Sequence, residues 1–284
     1  MRILFTSDLH ALAEAYRGFA ATLKAFDVGV IAGDLLDDYV GDEELARMFK
    51  LSSDDFLEEL PDPEDTLDDR LEAWKNSTAR AHMVRGLEQK EREIKVMLAE
   101  AGKPVLVVRG NHDVSPLSSE GFFHNIHLKR IEIEGVPFVG YGWLGRELDP
   151  ERQMDEFSQV EPLLDEDTIL VTHCPPYQVL DTAGRGGLTY GVGSKALAAS
   201  LERVRPRFHL FGHSHSSAGI KGSNVNGAYP HTRHFFGIDT VTGETWAERD
   251  KACPRPVWAV LDGLAAALAV ERHLHGPVEV TRRR

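Results

Sequence analysis

The feature of the sequence that most constrains the fold is a series of five short apolar runs, each followed at once by polar side chains. The runs occupy 2–7 (RILFTS), 28–33 (VGVIAG), 105–108 (VLVV), 168–172 (TILVT) and 208–211 (FHLF). Runs of this length that are rich in β-branched residues predict buried strands. Helix-forming segments at 11–25 and 194–204 lie between some of them. Because strands that alternate with helices build a helix-covered sheet, the sequence predicts an α/β fold.

The bulk composition is that of a globular protein, with 42% hydrophobic and 27% charged residues among 284. We treat 1–284 as a single domain that carries an acidic, partly helical insertion at 41–100. The start MRILFTSDLH reaches an acidic residue too early for a signal peptide, and no apolar run is long enough to span a bilayer. Two cysteines are too few for a disulfide framework. We therefore expect a cytoplasmic protein without membrane contact, whose oligomeric state the sequence leaves open.

The net charge of -13 is concentrated in the insertion, where 41–100 holds 17 acidic against 9 basic residues. Binding of long nucleic acid depends on basic groups that neutralise phosphates, so DNA or RNA is an unfavourable partner. Within the insertion, 54–72 contains ten acidic residues and the breaker sequence PDPED, which predicts an acidic loop. Apolar residues from Leu71 to Met97 then recur at helical spacing and predict a long amphipathic helix.

Two further segments have local patterns. The stretch 131–141 (IEIEGVPFVGY) predicts two strands around a glycine-containing turn. The stretch 257–270 contains an Asp-Gly hairpin signal, although its second half fits a helix equally well.

Each of the five predicted strands ends in residues that are able to bind metal ions. In chain order these are Asp8 and His10, Asp34, Asn111 with His112 and Asp113, His173, and His213 with His215. The carboxyl ends of the strands in an open α/β sheet form one crevice, so the five segments can meet there. If the strand conformation persists, residues two apart such as Asp8 and His10 share one face. Glycines at 33, 110 and 212 precede these residues and are expected to leave room for ions and substrate.

Each cluster alone also has an ordinary structural explanation. An Asp-x-His sequence at a strand end is commonly a turn or a cap, and a single histidine such as His173 is commonly half-buried and hydrogen-bonded. The sequence GHSH at 212–215 is more specific, because two imidazoles two residues apart beside a glycine have no common packing purpose. The presence of all five clusters in one chain, each after a strand, indicates a metal site.

The order of these motifs resembles that of the calcineurin-like metallophosphoesterase superfamily: Asp-x-His, Gly-Asp, Gly-Asn-His-Asp, His and Gly-His-x-His over residues 8–215. The resemblance implies a four-layer α/β/β/α sandwich with two central mixed sheets. It also implies two divalent ions. The first would be held by Asp8, His10, Asp34 and His215, and the second by Asp34, Asn111, His173 and His213, so that Asp34 bridges both. Cys174 is not needed as a ligand, and we interpret it as a buried small residue.

The same resemblance implies a phosphoesterase that acts on a phosphodiester or phosphomonoester through a metal-bridging hydroxide. Two divalent ions, two carboxylates and one hydroxide give a centre of charge about +1, which attracts a phosphate anion. His112 would act as general acid or phosphate ligand, and Asp113 would orient its ring. Ligand sets of oxygen and nitrogen accept Mn, Fe or Zn.

Differences between these motifs and those of particular branches of the superfamily indicate which branch the sequence resembles most. The segment GDLLDDYVG carries Asp38 where the serine/threonine protein phosphatases carry arginine, whereas THCPPYQVLD and FGHSHSSAG look like class III cyclic-nucleotide phosphodiesterases and related metallophosphoesterase-domain proteins. Asn111, His112, Arg109 and Arg185 are candidate substrate contacts, and the glycine-rich stretch 184–193 is either a lid or a simple surface loop. The alternatives are a catalytically idle metal- or nucleotide-binding scaffold and a nuclease of the same superfamily.

Overall fold

The strands and helices of the chain are seen in a computed structural model that describes residues 1–36, 76–113, 117–142, 157–185, 188–229 and 233–249. The strands are β1 Arg2–Thr6, β2 Val28–Ala32, β3 Val105–Val108, β4 Phe123–Asn125, β5 Arg130–Ile133, β6 Val136–Tyr141, β7 Ile169–Thr172, β8 Thr182–Arg185, β9 Leu188–Gly191, β10 Phe208–Phe211, β11 Gly219–Lys221, β12 Asn224–Asn226, β13 His234–Asp239 and β14 Thr245–Arg249. The helices are α1 Ala13–Leu23, α2 Thr78–Ala99 and α3 Lys195–Arg203, with short 3-10 turns at Glu161–Leu163 and His215–Ser217. The five predicted strands are confirmed, as are the helices predicted at 11–25 and 194–204 and the pair of strands predicted at 131–141.

Two sheets, each of six strands within the described residues, form the centre of the fold. The first has the order β14-β13-β1-β2-β3-β4, and the second has the order β11-β12-β10-β7-β6-β5. In the first sheet β1 to β4 are parallel, whereas β13 and β14 add antiparallel pairs. In the second sheet β12, β10, β7 and β6 are parallel, and β11 and β5 are antiparallel edges. Both sheets are therefore mixed, as predicted.

The side chains of β1 show how the layers stack. Ile3 and Phe5 point into the apolar layer between the two sheets, whereas Leu4 points to the opposite face, where α1 and α2 pack. The second sheet likewise presents Leu170 to its own outer layer, which contains Leu197 of α3. Strands buried on both faces must be apolar throughout, which explains the continuous runs in the sequence. The four-layer α/β/β/α arrangement is thus confirmed.

Helix α2 is the amphipathic helix predicted for the second half of the insertion. It begins after Ser77, whose hydroxyl accepts a hydrogen bond from the backbone N–H of Arg80, and it buries Leu87, Ile94 and Leu98 against the first sheet. The predicted acidic loop at 54–72 and the pattern at 257–270 lie outside the described residues. Among the helices that the structure describes, none combines the length and the apolar character needed to cross a membrane.

Candidate metal centre

The polar clusters predicted from the sequence meet where β1, β2, β3, β7 and β10 end. Within the first sheet β1, β2 and β3 run parallel to one another, and within the second sheet β7 and β10 do so, which places the carboxyl ends of each set at one edge of its sheet. All seven residues predicted as metal ligands are brought together there. Their potential ligand atoms form two groups, and one carboxylate oxygen of Asp34 lies between the two groups.

The first group consists of Asp8, His10, Asp34 and His215, and one potential ligand atom of each lies within 4.8 Å of the others. Nε2 of His215 is 3.0 Å from Oδ1 of Asp8 and 3.3 Å from Nε2 of His10. Nε2 of His10 is 3.9 Å from Oδ2 of Asp34. Ligand atoms about 2.1 Å from a shared ion stand about 3.0 to 3.4 Å apart in octahedral or tetrahedral geometry. The separations of 3.0 and 3.3 Å fall in this range, and that of 3.9 Å stays below the about 4.2 Å between ligands on opposite sides of an ion, so the group fits one divalent ion.

The second group consists of Asp34, Asn111, His173 and His213. Nε2 of His173 is 3.4 Å from Oδ2 of Asp34 and 2.9 Å from Oδ1 of Asn111. The same oxygen of Asn111 is 2.9 Å from Nδ1 of His213. These separations match those of the first group, so the residues present fit a second ion that shares Asp34 with the first.

Two buried carboxylates dominate the electrostatics of this edge. Burial alone would raise the pKa of Asp8, but the hydrogen bond from His215 and the charge of His173 lower it below its usual value. The pKa of Asp34 is also lowered, because His173 outweighs the cost of burial. In turn, burial opposes protonation of His173, but Asp34 raises its pKa to about 9. Without ions, protonated histidines thus balance the carboxylates, and a divalent cation would take over that role.

His213 behaves differently from its neighbours. Burial, followed by the charge of His173, lowers the pKa of His213 to about 3. The ring is therefore neutral at physiological pH, which is the form that binds a metal ion.

Four of the seven ligand residues adopt backbone conformations that few non-glycine residues adopt. The φ angles of Asp8, His10, Asp34 and His213 are 58°, 45°, 51° and 67°. The expectation that the strand conformation persists through Asp8 and His10, and through His213 and His215, is therefore wrong, since β1 ends at Thr6 and β10 ends at Phe211. The pairs converge through left-handed turns that backbone hydrogen bonds between the loops fix, such as Asp8 N–H to Gly33 O and His10 N–H to Asp34 O.

The three glycines that precede the ligands pack directly against ligand residues, and the expectation that they also leave room for ions and substrate stays a prediction. A Cβ at Gly110 would overlap the carboxylate of Asp34, and one at Gly212 would overlap Ser7 and the carboxylate of Asp8. A Cβ at Gly33 would stand 2.5 Å from Nδ1 of His173, and the φ angle of this glycine is 88°. Close packing of backbone against ligand therefore requires glycine at all three positions.

His112 lies at the rim of the two groups. Its Nε2 is 3.9 Å from Oδ2 of Asp34, and its side chain is 26% exposed. The ring packs edge-on against that of His10, with centroids 5.3 Å apart, while the backbone N–H donates to Oδ1 of Asp34. His112 is thus close to the shared carboxylate and open to solvent, where a substrate would arrive.

The sequence predicts that Asp113 orients the His112 ring, whereas in the structure both of its carboxylate oxygens accept hydrogen bonds from backbone N–H groups. Its Oδ1 accepts from the backbone N–H of Leu36 at 2.9 Å, and its Oδ2 accepts from that of Gly110 at 2.8 Å. The carboxylate is buried, and burial together with the charge of Asp34 raises its pKa. Both oxygens join the loop after β2 to the loop after β3, which indicates that Asp113 holds the ligand loops in place.

The two predicted arginine contacts are differently placed. Nε and Nη2 of Arg109 donate to the backbone oxygen of Asp113 at 3.0 and 2.7 Å, so this side chain braces the turn that carries Asn111 and His112. Burial lowers the pKa of Arg109. Arg185 is the last residue of β8, but its side chain lies outside the part of the chain that the structure describes. A substrate contact by either arginine stays a prediction.

Several residues that support the ligand loops were not recognised from the sequence. The hydroxyl of Tyr16 in α1 donates to the backbone oxygen of Leu35 at 2.6 Å. Thr172 Oγ1 donates to the backbone oxygen of Cys174 and so accepts from Nε2 of His209 at 2.8 Å. Cys174 is buried, which raises the pKa of its thiol to about 12 and confirms it as a packed residue. No sequence signal marks Tyr16 or His209, because their partners lie 19 and 37 residues away in the chain.

Comparison with known proteins agrees with this geometry. The family model for calcineurin-like phosphoesterases matches residues 1–217. A protein of Caenorhabditis elegans named UPF0046 protein K07C11.7 is 30% identical over 95 residues, which cover 32% of this chain and 31% of that protein. The chain therefore aligns with about a third of the length of this curated relative.

Two solved structures show the same fold. One, with 14% identity, superposes with a TM-score of 0.64 and covers 88% of this chain and 99% of its own. The other, TT1561 of Thermus thermophilus, has 16% identity, a TM-score of 0.51 and the same two coverages. At such identities the likeness concerns the fold alone. The match over residues 1–217, together with the ligand loops found at the edge of the two sheets, shows that the chain belongs to the calcineurin-like phosphoesterase family.

Proposed function

We propose that this protein is a dinuclear metal-dependent phosphoesterase that hydrolyses a small phosphodiester or phosphomonoester. The observation that carries the proposal is the position of Oδ2 of Asp34, which lies 3.9 Å from Nε2 of His10 in one group of ligand atoms and 3.4 Å from Nε2 of His173 in the other. One carboxylate that serves two ions requires such a placement. Mn, Fe and Zn all suit the donor set of carboxylate, imidazole and amide oxygens.

Once bound, the two ions would supply Lewis acidity and a nucleophile at neutral pH. The contribution of the chain is to hold them with Asp8 and Asp34, whose buried negative charges offset much of the charge of the ions. Neutral imidazoles and the Asn111 amide add no charge, so the loaded centre remains attractive to a phosphate anion.

His112 is the residue best placed to act on the substrate. It is the most exposed of the three histidines named beside Oδ2 of Asp34, ahead of His10 and His173, so a phosphoester bound at the ions would meet its Nε2. There it would donate a proton to the leaving oxygen or a hydrogen bond to a phosphoryl oxygen. Asp113 and Arg109 act indirectly in this proposal, because they fix the turn that presents His112.

A small substrate and a cytoplasmic location complete the proposal. The net charge of -13 opposes binding of a long polyanion, which makes the nuclease alternative less favourable. Cys174 is a free buried thiol, which suits a reducing compartment.

The test is turnover by the full chain loaded with Mn²⁺, measured on bis(p-nitrophenyl) phosphate as diester and p-nitrophenyl phosphate as monoester. We expect turnover that a chelator abolishes and that Asp34→Asn loses together with bound metal. Asp167→Asn is the matched control, because this exposed carboxylate precedes β7, at the opposite end of the strand from His173. Two bound ions in Asp34→Asn with normal turnover would refute the shared-ligand assignment. Ions bound by the wild type without any turnover would instead favour the scaffold alternative.

A further inference from the structure

Asn226 is a fully buried polar residue that belongs to no part of the ligand pattern. It is the last residue of β12 and lies opposite Phe211, the last residue of β10. Its Nδ2 donates to the backbone oxygens of Leu180 at 3.0 Å and Ser214 at 2.9 Å. Its Oδ1 accepts from the backbone N–H of Ala228 at 3.1 Å. Both amide hydrogens and the amide oxygen are therefore used.

The hydrogen-bonding groups around position 226 determine which residue type fits there. The two backbone oxygens can only accept hydrogen bonds, and the backbone N–H can only donate, so the orientation of the Asn226 amide is fixed by its surroundings. An aspartate at position 226 would place a carboxylate oxygen, which can only accept hydrogen bonds, next to these two backbone oxygens, which also only accept. An aliphatic side chain would remove all three of these hydrogen bonds from the interior, which is costly, and would leave Ser214 O with the hydrogen bond from the backbone N–H of Ser217. Only a primary amide satisfies all three groups.

One of these partners lies in the middle of the loop that carries two metal ligands. Ser214 stands between His213 and His215, and its hydroxyl donates to the backbone oxygen of Thr182 at 2.7 Å. His213 is in a left-handed conformation with φ of 67°, which persists only where the surroundings hold the backbone. The hydrogen bond from Asn226 to the Ser214 carbonyl supplies such a constraint from inside the protein.

The residues directly after Asn226 hold the other side of the first ligand group. We call 226–229 the crossing segment, because it leads the chain from β12 of the second sheet towards β13 of the first. Its Gly227 oxygen accepts from Ser7 N–H at 2.9 Å, and its Tyr229 N–H donates to the Ser7 oxygen at 3.0 Å. Ser7 immediately precedes the ligand Asp8.

The three ligands held in this way, Asp8, His213 and His215, are also in direct contact, as both histidines contact Asp8. His213 N–H donates to Oδ2 of Asp8 at 3.0 Å, and Nε2 of His215 lies 3.0 Å from Oδ1 of Asp8. The crossing segment thus fixes Asp8 through the backbone of Ser7, and it fixes His213 and His215 through the side chain of Asn226.

We propose that Asn226 is a positioning residue of the metal centre, which sets the distance between the loop that carries His213 and His215 and the ligand Asp8. The inference rests on the proposed function, because it assigns Asn226 to the same centre. Asn226 touches no ion or substrate in this assignment and acts only through the ligand loop. Residues that orient metal ligands change metal affinity by about ten- to hundredfold when they are replaced.

The experiment compares Mn²⁺ affinity of the full chain in wild type, Asn226→Ala and Val225→Ala, measured from the electron paramagnetic resonance signal of free Mn²⁺ well below the unfolding temperature. Val225 is the matched control, because it is the preceding residue, is equally buried and faces the apolar layer between the sheets. Its truncation lowers stability without touching the ligand loop. We expect Asn226→Ala to bind Mn²⁺ about ten- to hundredfold more weakly than wild type, and Val225→Ala to bind with wild-type affinity despite a lower unfolding temperature.

Two further variants keep the test decisive if alanine at 226 prevents folding. Asn226→Ser retains one donor and should have intermediate affinity, whereas Asn226→Asp should bind more weakly than Asn226→Ser. Wild-type affinity in folded Asn226→Ala, or equal weakening in Val225→Ala, would overturn the positioning role while leaving the proposed function intact. If the wild type itself takes up no divalent ion, the proposed function and this inference both fail.

Discussion

Replacing Gly110 with alanine should displace the carboxylate that both groups of ligands share. A Cβ at this position would stand 2.7 Å from Cγ of Asp34 and would overlap its Oδ1. Carbon atoms in contact normally keep about 3.5 to 4.0 Å, so one partner must move by about 1 Å. Neither partner is free to move at low cost, since Asp34 is 1% exposed and the Gly110 N–H is held by Oδ2 of Asp113.

The size of the effect follows from that displacement. An error of about 1 Å in the position of a reacting or ligating group costs about a hundredfold in rate. Overpacking of a buried site also destabilises by about 1 to 3 kcal/mol. We therefore expect Gly110→Ala to lose about a hundredfold in turnover of p-nitrophenyl phosphate, to bind Mn²⁺ at least about tenfold more weakly, and to unfold at lower temperature.

Gly86→Ala is the matched control for this substitution. Gly86 lies in α2, and a Cβ there would meet no atom within 4 Å. Alanine at an exposed helical position stabilises by about 0.5 to 1 kcal/mol relative to glycine. The assay combines calorimetric Mn²⁺ titration, thermal unfolding and turnover on all three proteins. If Gly110→Ala bound two ions with wild-type affinity, the close packing of Gly110 against Asp34 would have no role in the metal centre.

Four further predictions concern three histidines and the segment 54–69. His112→Ala should keep both ions but lose about a hundred- to ten-thousandfold on an alkyl phosphoester and much less on p-nitrophenyl phosphate; equal losses would show phosphate binding rather than proton donation. The pKa of about 9 at His173 means that an ion must displace a proton, so Mn²⁺ affinity should rise from pH 7 to 9, with proton release visible by calorimetry in two buffers. Burial lowers the pKa of His209 to about 3, below the unfolded value of about 6.5, so its contribution to stability is lost as pH falls below 6.5. Wild type should then lose about 2 kcal/mol more than His209→Gln between pH 7.5 and 5 in urea unfolding, and parallel curves would contradict this. Replacement of 54–69 by a short Gly/Ser linker should leave turnover of a small substrate mostly intact, and loss of turnover with metal retained would place this segment at the site.

The sequence predicted the ligands because each one follows a strand directly. In a parallel arrangement the carboxyl ends of strands share an edge, so local patterns such as SDLH and FGHSHS were enough to place Asp8 and His215 together. The conformation of those loops was not predictable in the same way. The left-handed turns at Asp8 and His213 depend on hydrogen bonds from other segments, and alternation along a strand gave the wrong local geometry for them.

Residues that support the ligands were missed for a related reason. Asn226 holds Leu180 and Ser214, which are 46 and 12 residues away in the chain. Asp113 stands next to His112 in sequence, which favoured a role on its ring, whereas one of its two partners is Leu36, 77 residues away. A polar residue acquires such a role only when the topology brings distant backbone groups to it, and no periodicity or motif records that topology.

The ligands come from both sheets and meet at this edge, so the geometry of the metal centre depends on how the two sheets are aligned. Asp8 and Asp34 follow strands of the first sheet, whereas His173, His213 and His215 follow strands of the second. Nδ1 of His173 donates to the Ala32 oxygen at 2.8 Å, and His213 N–H donates to the Asp8 carboxylate, so ligand residues make part of the contact between the sheets. Away from this edge the layer between the sheets is built mainly from apolar side chains, whose contacts are not directional. At the carboxyl edge the hydrogen bonds are directional, so they constrain the relative position of the two sheets. Ions bound there would tighten the same junction, because a ligand that binds only the folded state stabilises it. The substrate site would then be shaped by the junction of the sheets rather than by any single loop.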